Sequence, residues 1–468
     1  MDRTGKPVTI EDLYAIIQAQ AATIAALQQE VAELKRQLGL NSQNSGKPPS
    51  SDGLKKPPRV QSLRGRSEKP SGGQRGHKGE TLRQIENPDI IKKHNAKTCA
   101  HCRAKLTAAM VTGVVKRQVF DIPKPRFEVT EHQASIYTCT GCAHLTTAAF
   151  PETVLAAAQY GPRVRAAAVY LSFGQLIPEE RVAETMRDLF NVDLCAATVA
   201  AMGARKASEL MAFSDYIAAK VAAASVKHLD ETGFRIGGRT QWLHVASTMG
   251  LTSYRVSPKR GSLPSVMTGI VIHDHWKPYY TLNGVEHALC NAHHLRELKA
   301  LIEIEKETWA KRMYKLLINA CRSVQRAIEK KTSAIPLSTY RRILRLYDTI
   351  VAAGLTVHER QVPLLRKGER GKTPRRTGHN LLLRFLKHKS DVLRFAKDFS
   401  VPFTNNQAER DLRMMKVKQK ISGCFRTTTG AENFAAVRAV ISTARKQSWN
   451  LLETLVQPAP NLILQLSA

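Results

Sequence analysis

Three acidic residues occur where secondary structure is expected, and they constrain the fold more than any other feature of the chain. Asp230 lies in the strand-like run SVKHLDETGFRI, and Asp274 ends GIVIHD, which has the composition of a buried strand. Glu409 follows Asn405 and Asn406, which are favourable N-cap residues, so it should lie in the first turns of a helix. A carboxylate on a core strand is costly unless something compensates its charge. We therefore expect an α/β domain in which the three acids converge.

Divalent metal ions would supply that compensation. Two ions about 3.5–4 Å apart can activate an attacking oxygen and stabilise the leaving oxygen at a phosphodiester. Mg²⁺, or Mn²⁺ in its place, suits a site of a few carboxylates. Taken singly, each acid is more often a turn residue or a surface ion-pair partner. The neighbouring Glu231 is expected on the opposite face of its strand.

The charge of the chain indicates a polyanionic partner. Lys and Arg total 71 against 39 acidic residues, which gives a formal net charge of +32. Nucleic acid is the favoured partner, and an anionic membrane surface is the alternative. Contacts to a DNA backbone are predicted for the basic residues that follow Glu409, namely Arg410, Arg413, Lys416, Lys418 and Lys420. No apolar run approaches the roughly 20 residues of a membrane span, and the N-terminus lacks a secretory pattern. We expect a cytoplasmic protein.

The first 40 residues are predicted to form a coiled-coil dimerisation helix. Apolar residues repeat at both seam positions of a heptad pattern, with Gln20 as the polar exception. One seam position holds Ile10, Ile17, Ile24, Val31 and Leu38, and the other holds Leu13, Gln20, Leu27 and Leu34. The alternative is a single amphipathic helix packed on its own protein.

Residues 41–85 are rich in Pro, Gly, Ser and basic residues, which predicts a flexible linker that either tracks DNA or serves as a solvated tether.

Two C-x-x-C pairs predict a zinc site in residues 86–150. Cys99, Cys102, Cys139 and Cys142 offer four thiolates, which favour a closed, structural tetrahedral site. The strand-like runs VVKRQVFDI and FEVTEHQASIYT between the pairs predict a hairpin that brings them together. The alternative is a pair of redox or unliganded motifs.

The remaining sequence divides into helical and strand-rich parts. Residues 151–222 read as a helical DNA-binding region, in which a helix-turn-helix would present Arg205 and Lys206, although a plain packed helix pair fits as well. Strands dominate 223–290, although a helix-like run, HALCNAHHLRELKALIEIE, begins at His287. Helices dominate 291–398, and 399–450 carries the last acid before a tail at 451–468. The motif Cys290-x2-His293 could bind zinc, but packing of the cysteine with polar or phosphate contacts by the histidines is favoured.

Several segments together resemble one family. They are NSQNSGKPPSSDG, GGQRGHKGETL, the C-x-x-C region ending CAHLTTAAFP, LDETGFRI, CNAHHLREL, TNNQAERDLR and GCFRTTTGAENFAAVRAVISTARKQ. On these residues the chain resembles the large transposases of the insertion sequence sixty-six family, which are DDE-type enzymes. The resemblance covers nearly the whole chain. It implies an RNase-H-like catalytic core with Asp230, Asp274 and Glu409 as its acids and a helical insertion between the second and the third.

The expected protein is thus a multidomain α/β transposase. It would join an N-terminal coiled coil, a zinc ribbon, a helical DNA-binding region and an RNase-H-like core with its insertion. Its partners would be transposon ends and target DNA, a second copy of the chain, and accessory proteins of the same element. Two rival functions fit the same features. One is a catalytically inactive DNA-binding repressor or architectural protein, and the other is a nuclease of the same fold that cuts without strand transfer.

Overall fold

A computed structural model describes residues 9–47, 52, 82–122, 128–264, 266–366 and 373–468. Helices predominate, and a mixed β-sheet lies in the middle of the sequence. The helices are α1 (Ile10–Gly39), α2 (Pro162–Val169), α3 (Glu179–Phe190), α4 (Ala196–Ala223), α5 (Asn291–Ala300), α6 (Thr308–Glu329), α7 (Leu337–Glu359), α8 (Thr377–Lys387), α9 (Lys389–Lys397), α10 (Asn406–Ile421), α11 (Thr428–Lys446), α12 (Leu451–Val456) and α13 (Ala459–Ser467). The strands are β1 (Ile136–Thr138), β2 (Leu145–Thr147), β3 (Val226–Ile236), β4 (Arg239–Ser247), β5 (Thr252–Ser257), β6 (Gly269–His273) and β7 (Val285–Leu289).

The chain divides into two units, one of residues 61–129 and one of residues 1–60 with 130–468. In the smaller unit, residues 114–122 lack regular secondary structure, so the strand expected there is wrong. Val114, Val115 and Val119 are exposed, and a strand that buries neither face gains little from pairing. In the larger unit, the second expected strand is reduced to β1, which pairs with β2 across the turn that holds Cys139 and Cys142.

The five-stranded sheet has the order β5-β4-β3-β6-β7. Strands β3, β4 and β5 are antiparallel neighbours, whereas β6 and β7 run parallel to β3. Gly237 and Gly238 form the two-residue turn between β3 and β4 with φ of 52° and 81°, a left-handed conformation that side chains disfavour. The strand runs expected over residues 226–274 are therefore confirmed.

Strand β7 is a correction to the sequence interpretation, which placed a helix from His287 onward. Val285–Leu289 instead extends the sheet beside β6, and the helix begins only at Asn291. Ala288 and Leu289 are buried against the helices of the insertion. Packing on both faces thus outweighs the weak helical pattern of these residues.

Helices α2–α4 and α11–α13 share one hydrophobic core. The inner face of α4 carries Leu210, Phe213 and Ile217, which are fully buried. The segment 451–468, expected to be a tail, contributes Leu455 and Leu462 to this core. It is therefore part of the folded domain.

Helices α5–α9 occupy residues 291–397, where the helical insertion was expected, and they form their own core. Large aromatic side chains such as Trp309, Tyr347 and Phe385 fill it, and Ile272 of β6 and Leu289 of β7 join it. The insertion is thus packed onto the sheet edge, which fixes the position of α5 relative to the ends of β3 and β6.

The predicted N-terminal helix is confirmed as α1, and none of its residues is buried. Its C-terminal end contacts the insertion, where Gly39 lies against Ile304 and Asn44 donates a hydrogen bond of 3.1 Å to Glu303. Most of the predicted linker falls outside the described residues. Among the residues described, no helix has the length and hydrophobicity needed to span a bilayer.

Candidate active site

Asp230, within β3, and Asp274, just beyond the parallel strand β6, are at the same level of the sheet. Val226 pairs with Ile270 and His228 with Ile272, so the same register continued by two residues places Asp230 beside Asp274. Asp274 immediately follows the carboxyl end of β6, and its Oδ1 accepts a 3.0 Å hydrogen bond from the backbone N–H of Trp276. The sheet therefore brings the first two predicted acids together.

The electrostatics of Asp230 place all three acids in one neighbourhood. Burial raises the pKa of Asp230 well above its usual range, and the charges of Glu231, Asp274 and Glu409 raise it further. A hydrogen bond of 2.9 Å from the backbone N–H of Glu231 opposes this rise. Like charges destabilise one another in this way when a site lacks its counter-ion. The cluster is suited to a cation.

Glu409 enters the site from the first turn of α10, as its position after two asparagines predicted. Asn405 fixes that turn, although not as a side-chain cap. Its Nδ2 donates a 2.7 Å hydrogen bond to the carbonyl of Leu229, and its Oδ1 accepts one of 2.8 Å from Nδ1 of His228. Its own N–H donates to Sγ of Cys290 at 3.1 Å. A single buried side chain therefore ties α10 to the strand residue that precedes Asp230.

Helix α5 lines the side of the site next to Glu409. One ligand atom each of Cys290, His293 and Glu409 lies within 4.8 Å of the others. Nη2 of Arg296 is 3.8 Å from Oε1 of Glu409. Burial lowers the pKa of His293 and Arg296 lowers it further, whereas Glu409 and Asp274 oppose this effect. Burial raises the pKa of the Cys290 thiol to about 11, which fits the expectation that this cysteine is packed.

Two further histidines near Cys290 in the sequence, His287 and His294, are turned toward structural partners. His294 is buried and its Nδ1 is 3.1 Å from Oδ1 of Asn291. His287 pairs through Nδ1 with Nε2 of His273, also at 3.1 Å. Among the three, His293 alone lies beside the acids.

Glu231 is already satisfied by neighbouring side chains. Nε of Arg260 donates to its Oε1 at 2.8 Å, and the hydroxyl of Tyr279 donates to its Oε2. The guanidinium of Arg260 lies 4.3 Å from the centroid of the Trp276 ring, which holds it in place. Burial raises the pKa of Glu231, and the two hydrogen bonds lower it. Its partners distinguish this carboxylate from the three acids of the site.

The basic residues of α10 divide between two faces. Arg413, Lys416 and Lys420 follow Glu409 by four, seven and eleven positions and so share its face, where all three are exposed. Nζ of Lys416 donates to the carbonyl of Gly233 at 2.9 Å. Arg410 is exposed one residue beyond Glu409. A ridge of positive charge therefore leads away from the acids.

Lys418 lies on the opposite face of α10 and does not fit the predicted backbone contact. Its ammonium stands 4.3 Å from the ring centroid of Phe425, and it donates to the hydroxyl of Ser422 at 3.1 Å. Burial lowers its pKa. The side chain packs inside the domain, because the helical period turns it away from Glu409.

The predicted recognition helix is α4, and its two basic residues differ. Arg205 is exposed and pairs with Glu209 at 3.0 Å. Lys206 is only 8% exposed and its ammonium also pairs with Glu209. Because one face of α4 is buried against other helices and Lys206 lies on that face, the packed-helix alternative describes it better, and a DNA contact by Lys206 is not supported.

The cysteine pairs form two turns of the same local geometry. In one, the N–H of Arg103 donates to the carbonyl of Cys99 at 3.1 Å, and in the other that of Ala143 donates to the carbonyl of Cys139 at 2.8 Å. Arg103 and Ala143 both have positive φ, of 62° and 56°. Backbone N–H groups within each turn lower the pKa of the Cys99 and Cys139 thiols, which favours the thiolate form that metals bind.

Sequence reasoning did not single out Asn405, Arg296 or Tyr279 as parts of the site. The only signal for Asn405 was its place before Glu409, which indicated a helix cap instead of a tie between elements. Arg296 follows His293 by three residues, a spacing that places both side chains on one helix face. Nothing in the sequence pattern indicated Tyr279.

Replacing Asn405 tests how α10 is held. Asn405→Ala removes partners from the buried carbonyl of Leu229 and from His228, so we expect a loss of about 2–3 kcal/mol in the free energy of unfolding. Urea unfolding followed by far-UV circular dichroism measures it. The control is Asn406→Ala at the next, exposed position, which should change stability by less than about 0.5 kcal/mol. Equal effects of the two substitutions would contradict the role given to Asn405.

Comparison with known proteins assigns the chain to a family. Residues 157–433, more than half of the chain, match the family described as Transposase IS66 family. Residues 96–143, which include all four paired cysteines, match the zinc-finger binding domain of transposase IS66, and residues 5–83 match a family of unknown function. The chain is also similar to the uncharacterized protein y4hP of Sinorhizobium fredii, with 25% identity over 406 residues that cover 76% of this chain and 70% of that protein. The chain therefore belongs to the IS66 family of transposases, and it is a DNA transposase with a zinc-finger domain.

Proposed function

We propose that the protein is a DDE-type transposase whose catalytic carboxylates are Asp230, Asp274 and Glu409. The observation that carries the proposal is the strand register, which sets Asp230 beside Asp274, together with the hydrogen bond from Asn405 to Leu229, which holds the first turn of α10 and its Glu409 next to them. A mixed sheet of three antiparallel and two parallel strands, with Asp230 within β3 and Asp274 directly after its parallel neighbour β6, supports an RNase-H-like core. The helices between Asp274 and Glu409 support the insertion expected for such enzymes.

The donor set of this site fits Mg²⁺ or Mn²⁺. Three carboxylates provide hard oxygen ligands, and Oε1 of Glu409 is buried without a hydrogen-bond partner among the described residues. Asp230, Asp274 and Glu409 would hold the ions. When bound, such ions activate the attacking oxygen and stabilise the leaving oxygen of an in-line displacement.

The reaction takes place in two displacements at phosphorus. In the first, the oxygen of water bonds to the phosphorus at the transposon end and the bond to the 3′-oxygen breaks, which leaves a 3′-hydroxyl. In the second, this hydroxyl oxygen bonds to a phosphorus of target DNA, and that phosphorus releases its own 3′-oxygen. The carboxylates stay fixed during both steps because Asn405 and the sheet hold them.

The basic face of α10 would hold the DNA backbone next to these carboxylates. Arg410, Arg413, Lys416 and Lys420 are exposed there, and each phosphate contact replaces condensed counter-ions. The affinity for DNA should therefore decrease with salt, with a log–log slope of roughly −0.9 for each neutralised phosphate. Arg205 is retained as a candidate contact on the exposed side of α4.

Substitution of Asp230 separates catalysis from binding. Asp230→Asn should reduce Mg²⁺-dependent cleavage of a labelled transposon-end duplex at least about a thousandfold and leave its affinity for the duplex unchanged. It should also raise the Tm of the metal-free protein. Because folding raises the pKa of Asp230, its ionised form lowers the free energy of unfolding at neutral pH. This destabilisation disappears as the pH falls toward the pKa that the carboxyl group has in the unfolded chain.

Asp188→Asn on the exposed surface of α3 is the matched control and should change neither cleavage nor Tm. Mg²⁺ should raise the Tm of the wild type and of this control. It should raise the Tm of Asp230→Asn much less. Normal cleavage by Asp230→Asn would refute the assignment. Loss of duplex binding by this variant would show that the substitution acts on the fold.

We further propose that Cys99, Cys102, Cys139 and Cys142 hold the structural zinc of the zinc-finger domain. The four thiols and the matching turns support a closed site that needs no water ligand. Purified wild-type protein should contain about one Zn²⁺ per chain, and Cys99→Ser should lose most of it. Elemental analysis provides the measurement, with the exposed Cys424→Ser as control. Unchanged zinc in Cys99→Ser would exclude this ligand set.

The seam of α1 supports the proposal that two copies of the chain pair. Ile24, Leu27 and Val31 are each about half exposed, as expected for a seam that a second helix covers. Such a dimer suits an enzyme that acts on two transposon ends. Accessory proteins of the same element are further candidate partners.

Leu27→Asp is expected to shift the protein from dimer to monomer, because a seam charge would be buried in the paired helix. Sedimentation equilibrium measures the change, at a concentration where the wild type is dimeric. Ala22→Asp, on the side of α1 away from the seam, should leave the dimer intact. A dimer that survives Leu27→Asp would mean that another surface joins the protomers.

A further inference from the structure

The face of α5 that meets Glu409 carries two nitrogen-bearing side chains. His293 and Arg296 are three residues apart and so lie on the same side of the helix. Their neighbour across the site is Glu409, 3.8 Å from Nη2 of Arg296, a separation too long for a hydrogen bond. Helix α5 starts just after β7, the parallel neighbour of β6, so both side chains lie near the end of β6 that Asp274 follows.

Polar atoms on this face are buried and have no hydrogen-bond partner in the described part of the chain. They are Nδ1 of His293 and Nε of Arg296, with Oε1 of Glu409 opposite them. Buried polar atoms are normally paired, because an unpaired one costs about 1–3 kcal/mol. Nδ1 of His293 and Nε of Arg296 can both donate, so they indicate a ligand with acceptor oxygens, whereas Oε1 of Glu409 is an acceptor that suits a cation.

The charges around these atoms favour an anion next to α5. A cation held by Cys290, His293 and Glu409 would need the thiol of Cys290 as a ligand. Sγ of Cys290 already accepts the N–H of Asn405. A guanidinium and an imidazole N–H, in contrast, are donors that suit phosphate oxygens. Ions at the acids would attract the same phosphate from the other side.

We propose that His293 and Arg296 form a phosphate-binding pair that donates hydrogen bonds to the non-bridging oxygens of the scissile phosphate. The pair would orient the phosphorus for in-line attack and offset the negative charge that Glu409 brings to the site. The inference rests on the proposed function, since it takes the acid cluster as the place where the phosphodiester is cut. Arg296 acts as the charged donor and His293 as the neutral one.

A modified DNA tests the contact without relying on catalysis. Transposon-end duplexes are made with either a natural phosphate or an uncharged methylphosphonate at the scissile position. Dissociation constants for the full-length protein are measured by fluorescence anisotropy in Ca²⁺, an oxygen-ligand cation that replaces Mg²⁺. Wild-type protein should bind the modified duplex about tenfold more weakly, as expected when a charge-assisted hydrogen bond is lost.

The variants decide whether α5 makes this contact. Arg296→Ala should bind the natural duplex about tenfold more weakly than wild type. Replacing the scissile phosphate by the methylphosphonate should reduce the affinity of this variant little further. In His293→Ala the methylphosphonate should also weaken binding less than in wild type, but the difference should be smaller than for Arg296→Ala. Arg296→Lys should recover part of the affinity for the natural duplex. Arg322→Ala, an exposed basic residue on α6, should behave as wild type. A methylphosphonate three nucleotides from the scissile position should change the affinity of wild type and of Arg296→Ala by the same factor.

Each contrary result has a distinct meaning. The phosphate-binding pair would be overturned if the methylphosphonate weakened binding equally in wild type and in Arg296→Ala. It would also be overturned if the methylphosphonate weakened binding in neither protein. Coupling at Arg296 together with normal cleavage by Asp230→Asn would uphold the pair and refute the proposed catalytic acids. Absence of any binding to the end duplex by wild type would refute both.

A metal measurement excludes the cation alternative for the same cluster. Zinc is titrated into wild type, His293→Ala and Cys290→Ala, and bound metal is measured after dialysis. The phosphate-binding pair predicts the same zinc content in all three, set by the paired cysteines. One additional zinc in wild type that both substitutions remove would overturn the proposal and make Cys290, His293 and Glu409 a metal site.

Discussion

A partly buried carboxylate within a β-sheet is the constraint on which the structure of this transposase depends. Asp230 is desolvated on β3, and the charges of Asp274 and Glu409 oppose its ionisation. The fold must therefore hold three like charges together against their own repulsion. It does so through rigid elements, since the register of β3 and β6 fixes two acids and the buried Asn405 fixes the third.

The helical insertion contributes more than length between the second and third acids. Its core includes residues of β6 and β7, so the sheet edge and helices α5–α9 pack as one body. This packing sets α5 against the start of α10, where the N–H of Asn405 meets the thiol of Cys290. The insertion thus forms one wall of the acid site, and it brings His293 and Arg296 to Glu409.

The sequence predicted the elements that bear the acids because each has a strong local signal. Asp230 and Asp274 accompany alternating or continuous apolar runs, and Glu409 follows helix-start residues. Local signals failed where tertiary contacts dominate. Strand β7 is short and was interpreted as helix, since its pairing with β6 cannot be seen locally. The strand expected at residues 114–122 alternates well but buries nothing, and it does not form.

The sequence also could not tell which basic residues of a helix are free to meet DNA. Lys418 and Lys206 have the same charge as their neighbours, yet one packs on Phe425 and the other pairs with Glu209 inside the domain. Helical periodicity separates the two faces of α10, but which face turns inward depends on the aromatic residues that follow it. Only the packed structure supplies that direction.

By itself the sequence determined the excess of positive charge, the paired cysteines, the heptad pattern and the three acids with the type of element beneath each. These are properties of single residues and of short periodic patterns, which local chemistry dictates. The tertiary structure decided that the acids share one site, that Asn405 ties them together and that α5 presents His293 and Arg296 to Glu409. Those relations join residues up to 179 positions apart, as for Glu409 and Asp230, and only the packing of the whole domain sets such distances.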